Sequence, residues 1–152
     1  MRGIGTWLLV LAAVASTVYA ENGEATGEWR HYAGTHASSK YSALDQINAD
    51  NVADLEIAWR WDSLDNALQK KLNDRRLTQN AFEVTPLYID GVLYTSTSFS
   101  MVAAIDPETG KTLWEYDPVA YTSGRPANYG FMHRGIEYWT DGNASRILLT
   151  TG

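Results

Sequence analysis

The spacing of apolar positions divides this chain into segments of different period. An unbroken apolar run, Trp7 to Val14, lies between the basic Arg2 and the polar Glu21-Asn22-Gly23. It is shorter than the roughly 20 residues a membrane-spanning helix needs. Val18-Tyr19-Ala20 follows, with small residues at the two positions a signal peptidase reads. These flanks predict a secretory leader over residues 1–20 and an exported mature chain over 21–152, with an uncleaved anchor helix as the rival. Further on, Leu55, Ile57, Trp59 and Trp61 alternate with Glu56, Ala58 and Arg60, and period two predicts a half-buried strand. Leu64, Leu68 and Leu72 instead recur every fourth residue among Lys70, Lys71, Asp74, Arg75 and Arg76. That predicts a short amphipathic helix or loop insertion over 64–77, N-capped by Asp62 or Ser63, with the basic cluster on its solvated face.

After Phe82 the pattern is that of short strands separated by turn residues. Thr85 to Ile89 and Val92 to Ser96 flank Asp90-Gly91, a pair that favours a two-residue type I′ hairpin. Met101 to Asp106 and Thr112 to Tyr116 flank Pro107-Glu108-Thr109-Gly110, in which Pro presets φ and Gly takes a positive φ. Residues 85–116 therefore read as an antiparallel meander of four strands. Val119 to Met132 reads as a looser loop, and Ile136–Thr140 with Arg146–Thr150 reads as a second hairpin over Asp141-Gly142-Asn143. Successive four-stranded meanders are the unit of a β-propeller, whose radial packing protects sheet edges. At roughly 40–50 residues per unit, residues 21–152 hold about three blades, fewer than the smallest closed propeller of about four. The fold class predicted is all-β: the N-terminal blades of a truncated propeller. A small complete sandwich is the rival.

Charge and composition narrow the function. The net charge is -6, and removal of Arg2 with the leader makes it -7. This argues against a nucleic-acid partner, whose phosphates require clustered Lys and Arg. The absence of cysteine excludes disulfides, thiolate metal sites, Cys nucleophiles and lipid-anchoring cysteines. There is no phosphate-binding glycine loop and no Gly-x-Ser-x-Gly elbow. His31 and His36 have no acidic or Cys partner at metal-ligand spacing and read as surface or packing residues. Asn143-Ala144-Ser145 is a formal glycosylation sequon that carries no weight in an exported bacterial protein.

Ala104-Ile105-Asp106-Pro107-Glu108-Thr109-Gly110-Lys111-Thr112-Leu113-Trp114 resembles the tryptophan-docking repeat of the pyrroloquinoline-quinone (PQQ) dehydrogenases. Its chemistry is structural: Ala104 leaves room beneath a ring, Asp106 and Thr109 serve the turn, and Gly110 takes a left-handed φ. Trp114 is expected to bury a large plane between blades. Four more segments strengthen the resemblance over residues 28–152: Glu28-Trp29 through Ala58-Trp59, Glu83-Val84-Thr85-Pro86-Leu87, Asp90-Gly91-Val92-Leu93-Tyr94 and Arg134-Gly135-Ile136-Glu137-Tyr138-Trp139.

The resemblance implies an eight-bladed propeller with PQQ near its axis and a calcium or lanthanide ion beside it. It implies an exported, periplasmic oxidoreductase acting on an alcohol or aldose sugar, with cytochrome c or a membrane quinone as electron acceptor. Family positions matching Glu83 and Arg134 contact the cofactor. Arginine suits that place, because PQQ carries three carboxylates and an ortho-quinone and guanidinium is a rigid fork of donors. The family's metal ligands and catalytic base would lie downstream, so the stretch alone would be inactive, with strand edges open to aggregation. Alcohol-oxidising members carry an adjacent cysteine pair shortly before that Arg. Here the approach is Asn128-Tyr129-Gly130-Phe131-Met132-His133, which shifts the expectation toward the glucose-dehydrogenase-like branch. Tyr129, Phe131 or His133 could face the cofactor instead, with His133 either a proton carrier or a hydrogen-bonded structural residue.

Two rivals from other classes remain. A non-enzymatic cell-envelope propeller with the same repeat would ordinarily be a lipoprotein, which a chain without cysteine cannot be, and has no use for Glu83 and Arg134 in these contexts. A sugar-binding β-module would need an aromatic platform that the sequence does not locate.

Overall fold

Turn chemistry organises the largest sheet. In the computed structural model, which describes residues 27–74, 77–127 and 129–151, strands β2 (Leu87–Ile89), β3 (Val92–Ser96), β4 (Val102–Ile105) and β5 (Thr112–Tyr116) form the expected antiparallel meander in sequence order. Asp90 and Gly91 have φ of 49° and 77°, as a type I′ turn requires. At the next tight turn, Gly110 has φ 71°. Asp106 Oδ1 there accepts the N–H groups of Glu108 (2.8 Å) and Thr109 (3.3 Å). Those donors stabilise the ionised carboxylate and lower its pKa.

One face of this sheet packs against a hairpin of β7 (Glu137–Thr140) and β8 (Ser145–Leu148), close to the expected strands. Leu87, Ile89, Val102 and Ile136 form the buried centre of that seam, flanked by Trp29, Tyr94 and Tyr138. Trp29 also adds a backbone bridge to Tyr88 at the sheet edge (2.9 and 3.0 Å). Arg30, bonded to Glu28, lies over the Tyr138 ring at 5.4 Å and so ties this N-terminal segment to the hairpin.

Helix α1 (Leu64–Leu72) is the predicted insertion. Ser63 caps it, accepting the Asp65 N–H at 3.4 Å, and Asn73 ends it in a left-handed conformation with φ 46°. Its leucine stripe is graded: Leu68 is buried, Leu64 partly buried and Leu72 exposed. Leu68 joins Phe99, Met101 and Phe131 in a second core that Tyr121 and Leu77 border.

Three expectations are corrected. Leu55–Trp61 forms no strand: among the described residues it has no ladder partner, and Leu55 and Ile57 stand exposed. Its indoles dock instead of its backbone. Trp59 Nε1 donates to Pro107 O (2.8 Å) and Trp61 Nε1 to Thr112 Oγ1 (3.0 Å). Second, the indole seated on the docking turn is Trp59, so close to Gly110 that a Cβ there would lie 2.6 Å from its ring. Trp114 is 43% exposed; it packs against Tyr94 (centroids 5.9 Å) and lines the groove between β5 and β8. Third, the 119–132 stretch is not all loop: it holds a 3-10 turn at Ala120–Ser123, and a strand, β6 (Phe131–His133), begins at its end. That strand pairs in parallel with β1 (Gln79–Phe82), which the sequence pattern also left unseen. The predicted leader lies outside the described residues, as do Arg75 and Arg76 of the basic cluster.

Candidate cofactor site

The parallel pairing of β1 and β6 brings the two predicted site residues together. Phe82 is in register with His133, so the next residues, Glu83 and Arg134, leave the two strands at the same end. Arg134 Nε lies 3.7 Å from Glu83 Oε2, with side chains 76% and 51% exposed. An ion pair this long and this solvated contributes little stability. Its value is placement of a cation and a carboxylate at one edge.

Arg134 borders a cleft of about 380 Å³ that also opens on Ser98, Ser100, His133, Thr150 and Thr151. Phe131 forms part of its wall, whereas Tyr129 is 72% exposed and does not line it. Among the described residues no Asp or Glu lines the cleft, and a guanidinium and hydroxyls dominate its polar character. Glu83 stands outside the lining residues and reaches the site through Arg134.

The floor is the loop between β3 and β4, where Ser96 to Ser100 are all buried. Ser98 Oγ donates to Ala81 O (2.8 Å), fastening this loop to β1. Beneath it, the fully buried Asp65 accepts the Phe99 N–H at 3.3 Å through Oδ2, while Oδ1 has no hydrogen-bond partner. Burial pushes the Asp65 carboxyl above its ordinary value against the pull of the Thr97 hydroxyl and the Phe99 and Ser98 N–H groups. The structure thus adds Ser96, Ser98, Thr150 and Asp65 to what the sequence reading found. The run Thr95-Ser96-Thr97-Ser98 between two apolar strands was the available signal, since buried hydroxyls need partners.

His133 is a hydrogen-bonded core residue, the structural member of the two roles open to it in the sequence. His31 stacks on His36 (centroids 3.8 Å) and pairs with Glu137, a packing role that fixes the N-terminal segment against β7. Among the described residues, no group of three or more His, Asp or Glu side chains is arranged to hold a metal ion.

A sequence family described as "PQQ: Glucose/ethanol/alcohol dehydrogenase, beta-propeller domain" matches residues 29–152. The chain belongs to this family. Among PQQ-domain relatives, the quinohemoprotein alcohol dehydrogenase ADH IIB of Pseudomonas putida is 39% identical over 143 residues, covering 93% of this chain and 19% of the relative. Quinoprotein glucose dehydrogenase A of Acinetobacter calcoaceticus is 36% identical over 134 residues, covering 86% of this chain and 16% of the relative. The crystal structure of the quinohemoprotein alcohol dehydrogenase from Comamonas testosteroni superposes with a TM-score of 0.58 at 34% identity, covering 78% of this chain and 16% of that one. The sheets described above are therefore blades of a PQQ-domain β-propeller, and the chain spans less than a fifth of each of these relatives.

Proposed function

We propose that this chain belongs to a PQQ-dependent dehydrogenase that oxidises an alcohol or an aldose, and that Arg134 with Glu83 forms part of its cofactor site. The observation that carries the reading is a cation and a carboxylate aligned by β1 and β6 at the edge of a cleft that no acidic side chain lines among the described residues. The donor set fits the group. PQQ is a tricarboxylate, and a guanidinium flanked by Ser100 and Thr150 offers charge-assisted donors to one of its carboxylates. Glu83 can accept from a polar ring edge. Phe131 and Phe99 supply an apolar wall that excludes water from a planar ligand.

Bound PQQ would supply a quinone that accepts hydride, and a neighbouring calcium or lanthanide ion would supply Lewis acidity. The aldose branch is favoured because residues 128–133 contain no cysteine pair. Cytochrome c or a membrane quinone would accept the electrons, and the leader over residues 1–20 would place the enzyme in the periplasm.

The test uses the full reading frame that contains this chain. The purified apo-protein is titrated with PQQ plus calcium or a lanthanide, following cofactor absorbance and dye-linked oxidation of glucose and ethanol. Stoichiometric uptake with turnover is expected, and the better substrate identifies the branch. Arg134→Ala should weaken PQQ binding by about 10- to 100-fold, the loss of one charge-assisted contact. Failure to bind PQQ with either metal would leave a non-enzymatic propeller scaffold in its place.

A further inference from the structure

Arg134 has a side chain largely in solvent and a partner 3.7 Å away, so the ion pair does little to orient it. Its direction is set by the backbone on either side. His133 precedes it with a ring only 8% exposed, and Gly135 follows with φ 150°, a conformation suited to glycine.

Both ring nitrogens of His133 are committed. Nε2 lies 2.8 Å from Thr150 O, and because a carbonyl can only accept, Nε2 must carry the hydrogen. At Nδ1 the Gly135 N–H approaches to 3.2 Å and Ser96 Oγ to 2.7 Å. The Gly135 N–H can only donate, so Nδ1 presents its lone pair and the hydroxyl of Ser96 donates to it as well. The ring is thus a neutral imidazole in a single tautomer. It accepts from the end of β3 and from the Gly135 N–H, and it donates to Thr150, two residues beyond the end of β8. The bond from Gly135 N–H back to the side chain two residues earlier spans Arg134 and ties the backbone on either side of it together.

We infer that His133 is the positioning residue of this site: its Nδ1 lone pair ties down the backbone that holds Arg134 at the border of the cleft. The inference rests on reading Arg134 as a cofactor contact. Ser96, fully buried, fixes the ring, and the ring holds the Gly135 N–H. His133 then needs no contact with the cofactor to govern its affinity.

Two amide variants separate this role from simple packing. His133→Asn keeps an acceptor near Nδ1 and gives up the Thr150 contact. His133→Gln places its amide near Nε2, keeps a donor for Thr150 and gives up the acceptor for Gly135 and Ser96. In the full-length apo-protein titrated with PQQ and calcium, H133N should stay within about threefold of wild-type affinity and H133Q should lose about tenfold or more. Hydrogen exchange of the peptide spanning 129–136 should remain slow in H133N and become fast in H133Q. Ser96→Ala, which removes one of the two donors to Nδ1, should lower affinity by roughly threefold and remains readable if H133Q does not fold. Wild-type uptake with equal affinity in H133N and H133Q, or full affinity in S96A, would overturn the role of His133 alone. A wild-type protein that takes up no PQQ with calcium or a lanthanide would overturn the cofactor reading of Arg134 and this inference with it.

Discussion

The four-stranded sheet and the parallel pair β1–β6 are built by opposite logic. In the sheet, each strand meets its sequence neighbour through a short turn or loop, and Asp90-Gly91 and Asp106–Gly110 enforce the geometry of two of those connections. In the parallel pair, strands of four and three residues meet across some fifty intervening positions, with a register irregularity between Gln79 and Ala81. The sheet supplies most of the buried surface that the seam with β7–β8 uses, whereas the pair supplies the site. Local turns make a scaffold that stands on short-range contacts, and the functional edge is assembled from remote segments that the scaffold and helix α1 hold in place.

The sharpest way to break that contrast is to empty the core under the site. Phe99 is fully buried, edge-on to Phe131 (4.8 Å) and close to Tyr121 (6.2 Å). Phe99→Ala should cost about 3–5 kcal/mol locally. Hydrogen exchange should rise in peptides covering β1, β6 and α1 and stay slow in β2–β5; uniform loss of protection would mean the two regions unfold as one. Gly110→Ala strikes the sheet side instead. It combines a left-handed φ with a Cβ 2.6 Å from the Trp59 ring, and should cost about 2–4 kcal/mol, read as undocking of Trp59 by tryptophan fluorescence. Gly91→Ala provides the control, since φ is 77° but no atom lies within 4 Å of the added Cβ. Its cost should fall to about 1 kcal/mol, measured against Gly110→Ala as the shift of a urea transition followed by tryptophan fluorescence.

The last expectation is a slope. Burial raises the Asp65 carboxyl, so the folded protein holds that proton more tightly than the unfolded chain does. The resulting stabilisation is complete below the ordinary carboxylate range and is lost as pH rises through the raised value. Asp65→Asn removes the ionisation. The thermal midpoint of wild type relative to D65N should decline from acid to neutral pH, and a constant difference between the two proteins would show that Asp65 ionises without penalty.

Legibility in the sequence followed the same division. The Asp90-Gly91 turn, the Asp106–Gly110 turn, the period-four leucines of α1 and the hairpin at Asp141-Gly142-Asn143 are local signals, and each produced the element it predicts. Alternation at Leu55–Trp61 misled because period two records which residues share a face and says nothing about whether a partner strand lies alongside. The indoles on that face are used for docking onto a turn. Strand β6 was hidden for the converse reason: Phe-Met-His has too few positions to display a period, and its pairing is decided by segments far away in the chain. Glu83 and Arg134 were found through the resemblance. Their neighbours Ser96, Ser98 and Asp65 were missed because a buried hydroxyl or carboxylate looks the same in sequence as an exposed one.

The register of β1 with β6 also bears on the order of folding events. Closing a contact between segments so far apart in the chain carries a loop-closure penalty that neighbouring strands avoid, so such pairings belong to the slow, late part of a folding reaction. Glu83 and Arg134 become neighbours only when that closure is complete. A partly folded chain, even with its β2–β5 meander in place, displays an unaligned carboxylate and guanidinium and no cleft edge between them. On the proposed reading of this edge, cofactor capture would wait until assembly is finished, and the site would inspect the fold before accepting its ligand.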